Sequence, residues 1–475
     1  MDHFTATVAL IGIVIIVASL MSGVIERSGL PLVAAFLLLG AILGPWGLGL
    51  VNITLASPEL RVLATLGLAL VLFTDAVSIN LRDVRERKTL AWVVLGPGTL
   101  LPALVIGGAA YLLLGLPVAA AAIIGAALAS TDPVLLRSVL RSTHLPTTSR
   151  VALRLESGMN DAILLPVIVL ASLALPATVR EESHLMQHLF GLFLLGPALG
   201  GIIGWAGITM LVAVRSRGGV RRDYESLYAL GLGFASFAAA EAVGGSGFLA
   251  AFAAGLAIAS LDVELCDCFL EYGEATAEML LLLTFVAFGA FLIWTGITVM
   301  SVSTLSFAAV ALVARSAVLY PVLKALRVPE RDRTLIALFG PRGLSSLLLM
   351  LLPVFWGVPG AEGWFTVTCL VVLLSLVLHG AIMATFIRRG VTRRPRAALQ
   401  VAESPGSEER ISLPEVVGMQ QRGEPVVLVD ARAERSYGAD PRTAMGSVRV
   451  PPDDAVRAAR ALQLQTRATL VVYCA

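Results

Sequence analysis

Charge is scarce in this 475-residue chain: 14% of its residues are charged, 57% are hydrophobic and the mean hydropathy is +0.86. Soluble proteins carry about 25% charged residues, so the shortage excludes a soluble globular class and leaves a polytopic membrane protein. Basic excess is missing too, since a net charge of +2 is too small to point to a nucleic-acid partner. Cysteine is sparse, and the four present, Cys266, Cys268, Cys369 and Cys474, are scattered and form no metal-ligand quartet. The one close pair, Cys266-Asp267-Cys268, reads as two unpaired thiols rather than a redox or metal site. The first apolar run, ATVALIGIVIIVASLMSGVI, has no basic residues ahead of it and is a full span long, which favours a first membrane helix over a signal peptide.

What the chain has in quantity is apolar runs. Thirteen are long enough to cross a bilayer, near 6–25, 30–49, 60–79, 89–112, 117–141, 150–177, 186–214, 224–240, 244–261, 276–296, 303–325, 332–355 and 365–387. Alternate connections are basic: Arg82, Arg85, Arg87 and Lys88; Arg137 and Arg141; Arg215, Arg217, Arg221 and Arg222; Lys324, Arg327, Arg331 and Arg333; and Arg388, Arg389, Arg393, Arg394 and Arg396. The opposite side is nearly bare, with Arg61 and Arg180 as the visible exceptions. The positive-inside rule then puts the N-terminus outside and the C-terminus in the cytoplasm.

Two runs carry breakers at their centres, Thr131-Asp132-Pro133 in the fifth and Gly340-Pro341-Arg342-Gly343 in the twelfth. Proline removes a backbone donor and clashes with the preceding turn, and glycine weakens a helix. If the seventh run links two six-helix halves, both breaks occupy the fifth place of their half. Paired interruptions of this kind point to an inverted-repeat transporter with its binding site at the midplane.

Charges inside a bilayer are costly and demand a partner or a purpose. At about 1.5 Å of rise per residue, Asp161, Asp132, Arg315 and Arg342 all lie roughly 14 to 17 Å from the cytoplasmic ends of their helices. Within LESGMND, Glu156 and Asn160 share one helical stripe and Ser157 and Asp161 share the next. Glu156 is expected to form a buried ion pair, with Arg315 the preferred partner and Arg342 the second. Asp161, with Ser157 one turn away, is expected to bind the ion. A carboxylate out of water resists ionisation, so one such group can hold either a proton or a small cation, and that competition couples their movements. Ser157 and the freed carbonyls around Thr131 would supply further oxygen ligands. Asp75, nearer the cytoplasmic end of its span, either lends charge to an entry funnel or is a solvated helix-end acid.

At these residues the chain resembles the NhaP-type sodium/proton antiporters, relatives of the animal sodium/hydrogen exchangers. The matching features are STDPV at 130–134, ESGMND at 156–161, GGSGFLAAFAAGL at 244–256, the ARS around Arg315 and GPRG at 340–343. The resemblance implies an all-α membrane protein of thirteen helices with crossing broken helices, a homodimer, and elevator-like alternating access in a bacterial inner membrane. It also implies that Asp161 carries proton and cation, that Asn160 supports the core, that Glu156 pairs with Arg315, and that Thr131, Ser157, Asp132 and Asp75 serve the ion. No cofactor is implied. The Asn-Asp pair suggests electroneutral exchange.

Residues 1–390 are thus expected to form the antiporter domain, with a polar linker at 391–410 and a partial rhodanese-like domain at 411–475. The tail resemblance predicts strands at PVVLVDAR and TLVVYC, with Cys474 at the place of the family's persulfide cysteine. The loop that would cradle a persulfide lies beyond Ala475, so sulfur transfer is not expected from this chain. The leading expectation is exchange of cytoplasmic sodium or lithium for external protons. The alternatives are a potassium/proton antiporter, a passive cation channel, and a membrane-anchored sulfurtransferase.

Overall fold

The computed structural model describes residues 32–79, 81–140, 145–175, 189–218, 220–261, 274–392 and much of 411–473, with a few isolated positions besides. Two compact units result, residues 1–388 and 389–475. In the first, the helices are α1 (Leu32–Leu43), α2 (Pro58–Ser78), α3 (Lys88–Leu114, interrupted at Gly96), α4 (Val118–Ala129), α5 (Pro133–Leu140) and α6 (Thr147–Leu173). After them come α7 (Gly196–Gly218), α8 (Arg222–Ala242), α9 (Gly247–Leu261), α10 (Glu274–Ala290), α11 (Val302–Ala325), α12 (Glu330–Leu338), α13 (Leu344–Phe355) and α14 (Ala361–Thr392).

Helix is the form these runs must take, because a backbone in lipid has to satisfy its own donors and acceptors. Among the described residues, seven helices are long and apolar enough to cross a bilayer, or eight if the pair bent by 52° after Ala290 counts as one span. The reading of thirteen runs is more generous for physical reasons. α1, α9 and α13 are apolar but short, and α8 carries Arg222, Asp223, Glu225 and Glu241. The first run, 6–25, lies almost wholly outside the described residues, as do Arg180, Cys266, Cys268 and Cys474.

Packing sorts the helices into two groups. α1, α2, α7, α8, α9 and α10 pack on one another, and α3, α4, α6, α11, α12 and α13 form a second set. Small residues permit the closest approaches: Gly40 and Gly44 of α1 lie on the backbone of α10, and Gly200 of α7 on that of Ala250 in α9. The two groups meet chiefly along α2, which touches both α6 and α13.

The second unit holds α15 (Leu413–Gln421), α16 (Ala455–Ala461) and three parallel strands, β1 (Val426–Asp430), β2 (Val448–Arg449) and β3 (Thr469–Tyr473), in the order β2-β1-β3. Asp430, at the end of the central strand, is buried and pairs with Arg432 at 2.7 Å. The Arg432 side chain holds the Asp430 carboxyl below the usual carboxylate range. Tyr437 lies beneath both Arg432 and Arg449, at 5.3 and 4.4 Å from its ring centre.

Candidate functional site

The site forms where two broken helices cross. α4 stops at Ala129 because Ser130 turns extended (φ −58°, ψ 139°) ahead of Asp132-Pro133, and α5 resumes at Pro133, where a missing N–H costs nothing. α12 stops at Leu338, and α13 resumes at Leu344 after Gly340-Pro341-Arg342-Gly343. The extended segments touch directly, since the Asp132 N–H donates to the Pro341 carbonyl at 3.0 Å.

Breaking two helices at the centre of a membrane unit exposes four half-helix ends, each with unsatisfied backbone groups and a partial charge. Asp132 serves both N-terminal ends. Its Oδ1 accepts from the N–H of Val134 at 2.8 Å, and its Oδ2 accepts from the N–H of Leu344 at 2.5 Å. Gly343 is required here, because a Cβ at that position would strike the Asp132 carboxylate. The C-terminal ends take arginines. Arg342 donates through Nη1 to the carbonyls of Ala129 at 2.6 Å and Ser130 at 2.9 Å, closing α4. Arg315, from α11, donates through Nη1 to Ile336 at 2.7 Å and Ala337 at 2.9 Å, closing α12. Gly340 leaves room for that guanidinium.

Arg315 gives its remaining donors, Nε and Nη2, to the two oxygens of Glu156. Both side chains are buried, so Glu156 is a counter-charge that belongs to the scaffold of the crossing. Among the described residues Arg342 forms no ion pair; its Nη1 takes the α4 carbonyls, while its Nε and Nη2 have no hydrogen-bond partner. Asp132, which the sequence placed among ion ligands, has both oxygens accepting from backbone donors and caps two half-helices.

Asp161 lies one turn further along α6 and is 1% exposed. Its Oδ1 accepts from the Ser130 hydroxyl at 2.5 Å, whereas its Oδ2 has no hydrogen-bond partner among the described residues. The neighbouring Asn160 donates through Nδ2 to Thr131 Oγ1 at 2.7 Å, and its own Oδ1 is likewise without a partner. The Asn-Asp pair therefore grips the Ser-Thr of the first break and leaves one oxygen each uncommitted. Ser157 is buried one turn before Asp161. Asp75 of α2 is buried too and packs against Gly158 of α6, so it is not a solvated helix-end acid.

Some of the site escaped the sequence reading. Ser375 and His379 of α14 are buried, and the Ser375 hydroxyl accepts from the Arg342 N–H at 2.7 Å while lying 3.1 Å from His379 Nδ1. Their spacing of four in SLVLH is the available signal. Ser130, adjacent to the break, was another omission. Among the described residues no three His, Cys, Asp or Glu side chains gather as metal ligands do.

Among the described residues Asp161 has no ion-pair partner: Arg315 is taken up by Glu156 and the α12 carbonyls, and Arg342 donates through Nη1 to the α4 carbonyls. A bare charge in such a place is costly, and a proton or a small cation on the carboxylate would remove it.

The helical bundle with crossed, charge-capped interruptions defines a polytopic membrane protein of the transporter class. Residues 13–389 match the family described as "Sodium/hydrogen exchanger, transmembrane", and the chain belongs to that family. A K(+)/H(+) antiporter NhaP from Alkalimonas amylolytica is 26% identical, over 80% of this chain and 66% of its own length. A K(+)/H(+) antiporter NhaP2 from Shewanella baltica (strain OS223) is 27% identical, over 82% and 67%. A Na(+)/H(+) antiporter NhaG from Bacillus atrophaeus is 24% identical, over 80% and 75%. The chain thus spans about two thirds of the length of the first two relatives. Among solved structures, the sodium proton antiporter MjNhaP1 from Methanocaldococcus jannaschii shares the fold, with a TM-score of 0.66, 18% identity, and coverage of 82% of this chain and 99% of that one.

Proposed function

We propose that the chain is a secondary active antiporter, not an enzyme, which exchanges a monovalent cation for a proton by alternating access. One observation carries the reading: among the described residues Asp161, buried on a helix beside two broken ones, has one oxygen without a hydrogen-bond partner and no arginine or lysine paired with it. Protonated, it needs no counter-charge. Deprotonated, it needs a cation, and Asn160 Oδ1 with the hydroxyls of Ser157 and Thr131 completes an oxygen-lined seat. Because the two occupants use the same lone pairs, each must leave before the other binds, and a cycle that crosses the membrane only when neutralised is electroneutral.

The same reading gives residues 1–390 thirteen spans arranged as two inverted six-helix repeats, assembled as a homodimer in a bacterial inner membrane. The basic connections support an external N-terminus and a cytoplasmic C-terminus. Sodium or lithium is the first choice of cation. A potassium reading has support of its own, because the NhaP and NhaP2 relatives are named as K(+)/H(+) antiporters. Residues 411–475 are read as rhodanese-like, and the parallel order β2-β1-β3 is compatible with that. The test is dye-monitored proton flux in everted vesicles or proteoliposomes with sodium, lithium and potassium added in turn. A saturable response to at least one cation is expected, and the absence of any cation-evoked proton movement would defeat the proposal.

A further inference from the structure

Arg61 is one of two arginines that the charge pattern left unexplained, and the one among the described residues, on the side of the membrane read as nearly bare of basic residues. It sits in the first turn of α2, and its Nη2 donates to the carbonyl of Phe355 at 3.0 Å, with its guanidinium carbon 5.2 Å from the centre of the Phe355 ring. Phe355 ends α13, the second half of a broken helix. The turn beyond it is a self-contained stop: Trp356, Gly357 (φ +70°) and Val358 donate to Leu352, Val354 and Pro353, each at 3.0 Å. Phe355 itself has the carbonyl left over, and an arginine from the other helix group takes it.

That origin sets Arg61 apart from the other arginines at half-helix ends. Arg342 and Arg315 close α4 and α12 from within the group that contains those helices, so their bonds survive any rigid movement of the group. Arg61 reaches across the boundary. Elsewhere along that boundary small residues meet the other group, with Gly67 of α2 against Leu348 of α13 and Gly158 of α6 against the backbone and Cβ of Asp75. A charge-assisted hydrogen bond such as that of Arg61 must be made or broken when the groups move.

We infer that Arg61 is a reversible latch that ties α2 to the outer end of α13 while the external side is closed, and that it releases in each exchange cycle. The inference rests on the alternating-access reading above. Removing the latch favours the external-open arrangement, so Arg61→Ala is expected to weaken the apparent cation affinity from the cytoplasmic side by about 3- to 10-fold, with Arg61→Lys intermediate.

The decisive experiment uses the full chain in proteoliposomes, with Cys266, Cys268 and Cys474 replaced by serine and buried Cys369 retained, carrying Arg61→Cys and Phe355→Cys together. Exchange is measured first, then after a short reducible thiol cross-linker, then after reduction. Cross-linking is expected to cut exchange at least tenfold and reduction to restore it, with neither single-cysteine variant affected. A cross-linked protein that exchanges at the uncross-linked rate would overturn the latch while leaving the antiport reading intact. Absence of exchange before cross-linking would overturn both.

Discussion

Glu156 and Asp161 stand five residues apart on α6, both buried, yet their surroundings differ in kind. Around Glu156 every charge is answered: both oxygens meet Arg315, whose remaining donor closes the end of α12. Around Asp161 one oxygen accepts from Ser130 and the other has no hydrogen-bond partner among the described residues. The difference teaches that burial alone does not make an acid functional. A buried acid matched to a fixed cation holds structure, and one without such a partner is the candidate for a mobile one.

The comparison can be broken first on its structural side. Glu156→Ala strands Arg315 without a counter-charge, at a cost of about 3 to 5 kcal/mol. The expected outcome is collapse of monodisperse yield in detergent, partly recovered by adding Arg315→Leu; a stable single variant with altered cation preference would exchange the roles of the two acids. Asp132→Ala comes next, removing the caps of α5 and α13 at about 1 to 2 kcal/mol each, read as a lower melting temperature in detergent. Asp132→Asn should keep part of that stability, because its side-chain oxygen still accepts.

Asn160→Ala sharpens the other side. It removes one hydrogen bond to Thr131, worth about 1 kcal/mol, and one oxygen beside Asp161. A folded protein with a several-fold higher KM for the cation is expected from flux titrations. The smallest effect on exchange belongs to Asp430→Asn in the second unit. Arg432 depresses the Asp430 carboxyl, so the stability from that pair is present at neutral pH and lost only as the pH falls through the depressed value. The substitution should increase proteolysis within residues 411–473 at neutral pH, measured by limited digestion, and leave exchange by the chain unchanged.

Much of this division was legible in the chain. Proline and glycine at 133 and 340–343 mark the breaks because no other chemistry stops a helix so reliably in lipid, and the i, i+4 stripes of LESGMND separate the two acids by geometry alone. What the sequence concealed depends on contacts between distant segments. That Asp132 caps α13 as well as α5 follows from a bond to Leu344, and Arg342 is drawn to Ala129, a carbonyl that carries no side-chain signature. Ser375 and His379 were hidden by the apolar helix around them. Arg61 was visible as an exception to a rule, and its reason became clear only when the end of α13 came beside it.

The central claim is that Asp161 alone exchanges its occupant. Its most direct test is cation-evoked proton flux in proteoliposomes by Asp161→Asn, whose side chain keeps the shape and loses the charge, beside the unsubstituted chain at equal folded content. The account predicts that flux falls to the protein-free background for sodium, lithium and potassium alike, while the melting temperature stays within a few degrees. Saturable exchange by Asp161→Asn at a rate near that of the unsubstituted chain would contradict it.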